Sequence, residues 1–201
     1  MMTHDVASLT AWLRLAAAHF AAAQAELNAL DQAIGDGDHG ANLARGFARI
    51  SEKLDAAAPA DPAALFKLAG MTLISTVGGA AGPLYGSFFL EMAKAAGTPT
   101  ELDGPALTRC LVAGVAGVAA RGKAVPGDKT MIDAMTPAMA ALQRGATLAD
   151  AATAAHAGVA ATIPIVARKG RASYLGERAI GHADPGATSA AMLLDALAAA
   201  P

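Results

Sequence analysis

Along this chain a proline repeatedly follows a residue that opens helices. Asp61-Pro62, Gly82-Pro83, Gly104-Pro105 and Asp184-Pro185 each read as a helix start. Proline is preset near a helical φ, and its missing N–H costs nothing in a first turn whose donors have no partners anyway. Thr147, with Asp150 three residues on, resembles a capping box in which Asp stands for Glu or Gln. An N-terminal helix, one after His39 and one near Met131 bring the expected number to about eight. No convincing strand appears. The β-branched run Thr162-Ile163-Pro164-Ile165-Val166 contains proline in a helical setting and reads as helix, kinked at the proline. Apolar residues make up 54% of the chain and aromatics 4%. Much of the apolar share is alanine, which favours helices and lets them pack closely. Short connections make consecutive helices antiparallel neighbours, so the expected fold is an all-α up-and-down bundle. With no internal repeat and no long linker, residues 1–201 read as a single domain.

Several function classes drop out on composition. Lys and Arg number 15 against 17 Asp and Glu, with no basic stripe of the kind that meets nucleic acid. Cys110 is the only cysteine, so no internal disulfide can form, and its apolar neighbours Leu111 and Val112 suit a small core residue better than a nucleophile. The N-terminus has no basic leader pattern, which makes the cytoplasm the expected compartment. Residues 68–90 carry no charge and are long enough for a membrane span. Gly78-Gly79 and Gly82-Pro83 interrupt that stretch, so it reads as two helices meeting at a Gly-rich joint and no membrane is expected.

Four segments break the alanine-rich monotony: residues 31–42, 76–83, 121–131 and 168–186. Each falls at an expected connection, between helices one and two, three and four, five and six, and seven and eight. In an up-and-down bundle alternate connections share one end. All four therefore map to one rim, provided the helix count holds.

The first segment carries Asp31, Asp36 and Asp38 among Gly35, Gly37 and Gly40. Carboxylates crowded in a turn repel one another unless a cation neutralises them, and hard oxygen donors suit Mg²⁺ or Ca²⁺. An EF-hand loop beginning at Asp36 fails, because its fifth, sixth and twelfth positions are Gly40, Ala41 and Phe47. The spacing of Gly35, Gly37 and Gly40 matches a dinucleotide fingerprint, but no strand precedes it. An acidic turn that only caps the next helix through Asp38 would need one aspartate, not three. The second segment, Thr76-Val77-Gly78-Gly79-Ala80-Ala81-Gly82-Pro83, is either a tight helix joint or a place where backbone N–H groups approach an anion. The third, with Arg121, Lys123, Asp128, Lys129 and Met131, is either an ordinary polar loop or a wall against a base ring. The fourth carries Arg168, Lys169, Arg171 and Arg178 and is long for a helix connection, a length that usually serves function. Arginine's forked donors suit phosphate.

The motifs Leu30-Asp31 with Ile34-Gly35-Asp36-Gly37-Asp38-His39-Gly40, Asn42 and Arg45-Gly46-Phe47 resemble the L subunit of dihydroxyacetone kinases. So do Ser75 through Leu84, Arg121-Gly122-Lys123 with Pro126 through Met131, Ala167 through Arg178, and Ile180-Gly181-His182 with Asp184 through Thr188. The likeness runs over nearly the whole chain. It implies an all-α, up-and-down antiparallel eight-helix barrel with a nucleotide site at one rim. It implies that Asp31, Asp36 and Asp38 hold two Mg²⁺ ions bridging the phosphates of ADP or ATP. Nucleotide contacts carry over to His39, Gly40, Ala41 and Asn42, to Ala80 and Ala81, to Gly122, Met131 and Arg171, and to Asp184, Pro185 and Gly186. The family has Ser where this chain has Ala81, which removes a hydroxyl and leaves the backbone N–H. The resemblance further implies a separate K subunit that holds the sugar ketone, and either free ATP or a phosphotransferase-system protein as phosphoryl donor. No catalytic acid or base is assigned in this chain, because phosphoryl transfer needs positioning and charge neutralisation above all. The expected acceptor is dihydroxyacetone or a related short ketose such as erythrulose. A nucleotide-loaded regulatory module that binds another protein is the competing reading, and a plain helical bundle with an incidental cation site is a third.

Overall fold

A computed structural model of the protein describes residues 3–201. Nine α-helices dominate it: α1 (Val6–Ala22), α2 (Gln24–Ile34), α3 (His39–Ala56), α4 (Pro62–Thr76), α5 (Ala81–Ala96), α6 (Gly104–Gly122), α7 (Met131–Gln143), α8 (Leu148–Thr162) and α9 (Pro185–Ala199). A 3₁₀ stretch, Arg171–Ala179, lies before α9. The helix starts follow the caps. Asp61 accepts from the Ala64 amide ahead of Pro62, Asp103 from Ala106 and Asp184 from Ala187. Thr147 and Asp150 form the expected capping box, and Thr130 with Asp133 forms a second at the start of α7.

Three expectations are corrected. The N-terminal helix is two helices, α1 and α2, bent by 64° at Ala23. The run at Pro164 is not helix: α8 stops at Thr162, since proline has no N–H to continue the ladder. Two short strands exist after all. β1 (Thr3–Asp5) pairs antiparallel with β2 (Glu101–Asp103), tying the start of α1 to the start of α6.

Packing follows chain order from α3 through α9, and α9 returns to α1, which itself packs on α3. The scarce aromatics are concentrated in the core. Trp12, Phe20, Phe47, Phe66, Tyr85, Phe88 and Phe89 are all buried, and Phe20 and Phe47 meet with ring centroids 4.7 Å apart. The Trp12 indole donates to the Leu193 carbonyl at 2.9 Å, which closes α1 onto α9. Glycine lets α4, α5 and α6 approach closely: a Cβ at Gly114 would lie 2.6 Å from the Phe88 ring. Cys110 is buried and its thiol is pushed up to about 11 by burial, as fits a core residue. Among the described residues no single helix is long and apolar enough to cross a membrane, and residues 68–90 divide into α4 and α5 at the Gly-rich joint.

Candidate functional site

Four helices begin at one cavity. His39, Ala81, Met131 and Pro185, the first residues of α3, α5, α7 and α9, all line a cavity of about 480 Å³. A helix N-terminus carries unpaired N–H groups and a partial positive charge, so four of them facing one space favour an anion. The start of α5 has no side-chain cap, and Pro83 gives its first turn no third N–H. The amide of Ala81, at the cavity, is thereby left for a ligand.

The three aspartates stand at the same cavity. One carboxylate oxygen from each of Asp31, Asp36 and Asp38 lies within 4.8 Å of the others. Asp31 is buried on the last turn of α2, while Asp36 and Asp38 are exposed. Asp31 does double work: its Oδ2 accepts from the amides of Asp38 at 2.9 Å and His39 at 3.2 Å. It therefore supplies the cap of α3 from another helix, and Asp38 makes no side-chain cap bond. The Asp38 side chain is left for a cation, and Asp36 is exposed at the same point. A Cβ at Gly35 would sit 2.1 Å from Asp31 Oδ1, so only glycine lets the loop fold back over that carboxylate. Of the three loop glycines, Gly37 alone takes a positive φ, at 80°. The oxygen-only donor set, and a span of roughly 4 to 5 Å across a hard cation, fit magnesium. Arg171 comes from the fourth segment, its Nη1 at 2.6 Å from Asp36 Oδ2.

All four segments read from the sequence meet here. Asp31, Asp36, Asp38, His39, Asn42, Ala80, Ala81, Gly122, Met131, Arg171, Asp184, Pro185 and Gly186 line the cavity. Gly40 and Ala41 do not: Gly40 packs on the Gln24 carbonyl, and the Ala41 amide donates to Asn28 Oδ1 at 3.0 Å. His39 is clamped rather than free. Its Nε2 meets Ser189 Oγ at 2.9 Å, and Ser189 meets the Tyr85 hydroxyl at 2.7 Å. Burial lowers the pKa of His39, and the nearby Asp31 and Asp38 and the Pro185 backbone oppose that shift. Burial pushes the Asp184 carboxyl up to about 7.

Sequence reading passed over Lys129, Ser189 and Tyr85. Lys129 stood out only as one more basic residue in a polar loop, yet it is buried and lines the cavity. Ser189 and Tyr85 sit inside helices, where nothing in the linear pattern marks a polar contact across the core.

The DAK2 domain model matches residues 33–199. This chain belongs to the DAK2-domain family. Among its DAK2-domain relatives is the ADP-binding subunit DhaL of PEP-dependent dihydroxyacetone kinase 1 from Listeria innocua. It is 50% identical over 171 residues, covering 85% of this chain and 84% of the relative. The ADP-binding subunit DhaL of the PEP-dependent kinase of Escherichia coli is 44% identical over 197 residues and covers 94% of both chains. In structure the chain is similar to the dihydroxyacetone kinase of C. freundii in complex with AMP-PNP and Mg²⁺. The TM-score is 0.75 at 31% identity, over 94% of this chain and 33% of that one. The DAK2-domain fold thus spans about a third of that longer kinase.

Proposed function

We propose that this chain is the ADP/ATP-binding, magnesium-dependent L subunit of a dihydroxyacetone-type kinase. It is a phosphotransferase that works only with a K subunit holding the ketose. One observation carries the reading: three clustered aspartates, Arg171 and four helix N-termini face a single cavity. Helix N-termini attract phosphates, carboxylates repel them, and the two coexist around a nucleotide whose phosphates carry a cation.

Within that reading Asp31, Asp36 and Asp38 hold two Mg²⁺ ions, whose chemistry is to neutralise the phosphate oxygens as charge develops. Ala80 and Ala81 take the phosphate side of the nucleotide, the Ala81 amide without the hydroxyl that the family's serine adds. Arg171 exchanges Asp36 for phosphate, adding a charge-assisted bond during transfer. Met131, Gly122, Pro185 and Gly186 wall the base and ribose, with His39 and Asn42 at the edge of the metal loop.

The acceptor sugar has no recognisable site in this chain, so the partner must supply it and close the mouth against water. Four of the six exposed large apolar side chains among the described residues, Val125, Ile163, Tyr174 and Ile180, lie on or beside the third and fourth segments. Exposed apolar groups on the rim suit a docking partner. The PEP-dependent kinases to which the relatives belong favour recharging of bound ADP by a phosphotransferase-system protein, in the cytoplasm, over exchange for free ATP. The test is sugar phosphorylation by the purified chain with Mg²⁺ and a K subunit, run once with ATP and once with ADP plus the phosphotransferase donor. Transfer to dihydroxyacetone only when the K subunit is present supports the proposal. Full activity of the chain alone, or none with any short ketose that the K subunit binds, would overturn it. The second result would favour a nucleotide-loaded regulatory module.

A further inference from the structure

Lys129 is 1% exposed, and its backbone is left-handed, with φ 62°. A side-chain-bearing residue in that region persists only where its surroundings hold it. What holds it is visible. The ammonium has three N–H donors, and it bonds three carbonyls: Thr162 at 2.6 Å, His182 at 2.7 Å and Ile165 at 3.2 Å. Among the described residues it makes no ion pair, so a buried cation is satisfied by backbone oxygens alone. Thr162 is the last residue of α8, Ile165 follows Pro164, and His182 lies in the turn before α9.

The three carbonyls belong to segments that carry the cavity wall. Ile165 leads into the stretch that bears Arg171, and His182 stands two residues before Asp184 at the start of α9. Lys129 itself stands two residues before Met131, the start of α7. Secondary ties run alongside: the Arg168 amide donates to the Asp128 carbonyl at 3.0 Å, the Gly181 amide to Ile163 at 2.8 Å and the Asp184 amide to Thr162 Oγ1 at 3.0 Å. The metal loop at residues 31–38 shares none of these bonds. One ammonium therefore sets the spacing of the third and fourth segments, and it bonds to no group of the first, which meets the fourth through the partly exposed Arg171–Asp36 pair.

We propose that Lys129 is a positioning residue for nucleotide binding, its ammonium registering the segments of Met131, Arg171 and Asp184 against one another through the carbonyls of Thr162, Ile165 and His182. The inference rests on the nucleotide reading of the cavity and adds to it a residue that need not touch the reacting atoms. A methionine at 129 keeps most of the unbranched stem and removes every donor, leaving three carbonyl oxygens without the ammonium, that of Thr162 buried.

The test compares two ligands on Lys129→Met. ADP with Mg²⁺ is titrated calorimetrically, and Mn²⁺ alone is titrated by spin resonance as a probe of the aspartate loop. The expected result is at least a tenfold loss of ADP affinity with Mn²⁺ affinity changed less than twofold. A general loss of structure would move both, and a residue without a positioning role would move neither; either result overturns the proposal. Lys129→Ala supplies the second arm, with propylammonium added to replace the missing amine. Restored ADP affinity in the variant, with no effect of the amine on the original protein, supports the proposal. Failure of both variants to fold, with or without amine, makes Lys129 a folding residue and overturns it. If the unaltered protein itself binds no ADP with Mg²⁺, the nucleotide reading fails. Hydrogen exchange over residues 163–184 then decides the positioning claim: faster exchange in Lys129→Met keeps it, unchanged exchange ends it.

Discussion

Arg171 Nη1 and Asp36 Oδ2 lie 2.6 Å apart, joining the last of the four cavity segments to the first. A guanidinium on a carboxylate proposed as a metal ligand is a cation in the place where a second cation is expected. The pair is partly exposed, with 61% of the arginine side chain and 38% of the aspartate accessible. It therefore adds little to stability and can exchange partners readily. Arg171→Ala is expected to lower phosphoryl transfer about tenfold or more, the scale of one charge-assisted phosphate contact. The melting temperature should change little. Steady-state kinetics with the K subunit and a thermal melt of the same sample check both halves.

The aspartates should separate by role. Asp36→Asn and Asp38→Asn remove exposed carboxylates and no packing, so Mg²⁺-dependent ADP binding should vanish while circular dichroism stays unchanged. Asp31→Ala also strands the amides of Asp38 and His39, so it should destabilise the fold by about 1–3 kcal/mol as well. Calorimetric titration and urea melts distinguish them; equal stability losses in all three would contradict the division.

ADP with Mg²⁺ should stabilise the protein by about 2.7 kcal/mol at a hundredfold excess over its dissociation constant. EDTA should remove most of the shift, because the phosphates are held through the metal. An identical melting curve with and without EDTA would mean that base and ribose alone are bound.

Asp184 should make stability fall as pH rises. Burial raises its folded value to about 7 from 3.8; Asp133 and Asp31 act the same way, and the Ala187 amide and Lys129 oppose it. The folded protein thus keeps a proton that the unfolded chain gives up. That contribution is complete below about pH 4 and is lost as the pH climbs through 7. Asp184→Asn keeps an oxygen for the Ala187 amide and removes the titration. Urea melts at pH 5 and pH 8 should differ less in the variant than in the original. A variant weaker only at pH 8 would show instead that the carboxylate is charged beside Lys129.

What the sequence made legible was mostly local. Asp61-Pro62, Thr147 with Asp150 and Asp184-Pro185 announce helix starts because a cap and its amide lie within one turn of each other. The rim followed from parity: a break at Ala23 adds a helix without altering which ends of the remaining helices face the cavity. The break itself was hidden, because Phe20-Ala21-Ala22-Ala23-Gln24 contains neither Gly nor Pro. It is decided by α2 packing onto α3 and α9, a tertiary cause. The same applies to Asp31 capping α3, to the commitment of the Ala41 amide to Asn28 and to the burial of Lys129. Each depends on a partner distant in the chain. The strands β1 and β2, three residues each, are too short for alternation to register.

The β1–β2 ribbon fixes where the protein can be held from outside. It sits at the start of α6, whose far end, Gly122, lines the cavity 19 residues away, about 28 Å along the helix axis. The last helix runs the same course, from Pro185 at the cavity to Ala199. Thr3, the first described residue, and the end of α9 therefore lie at the pole opposite the mouth. A fluorophore, an affinity handle or a sensor surface attached at either one leaves the opening facing solution, so partner association can be timed on tethered protein without obstructing the event being timed.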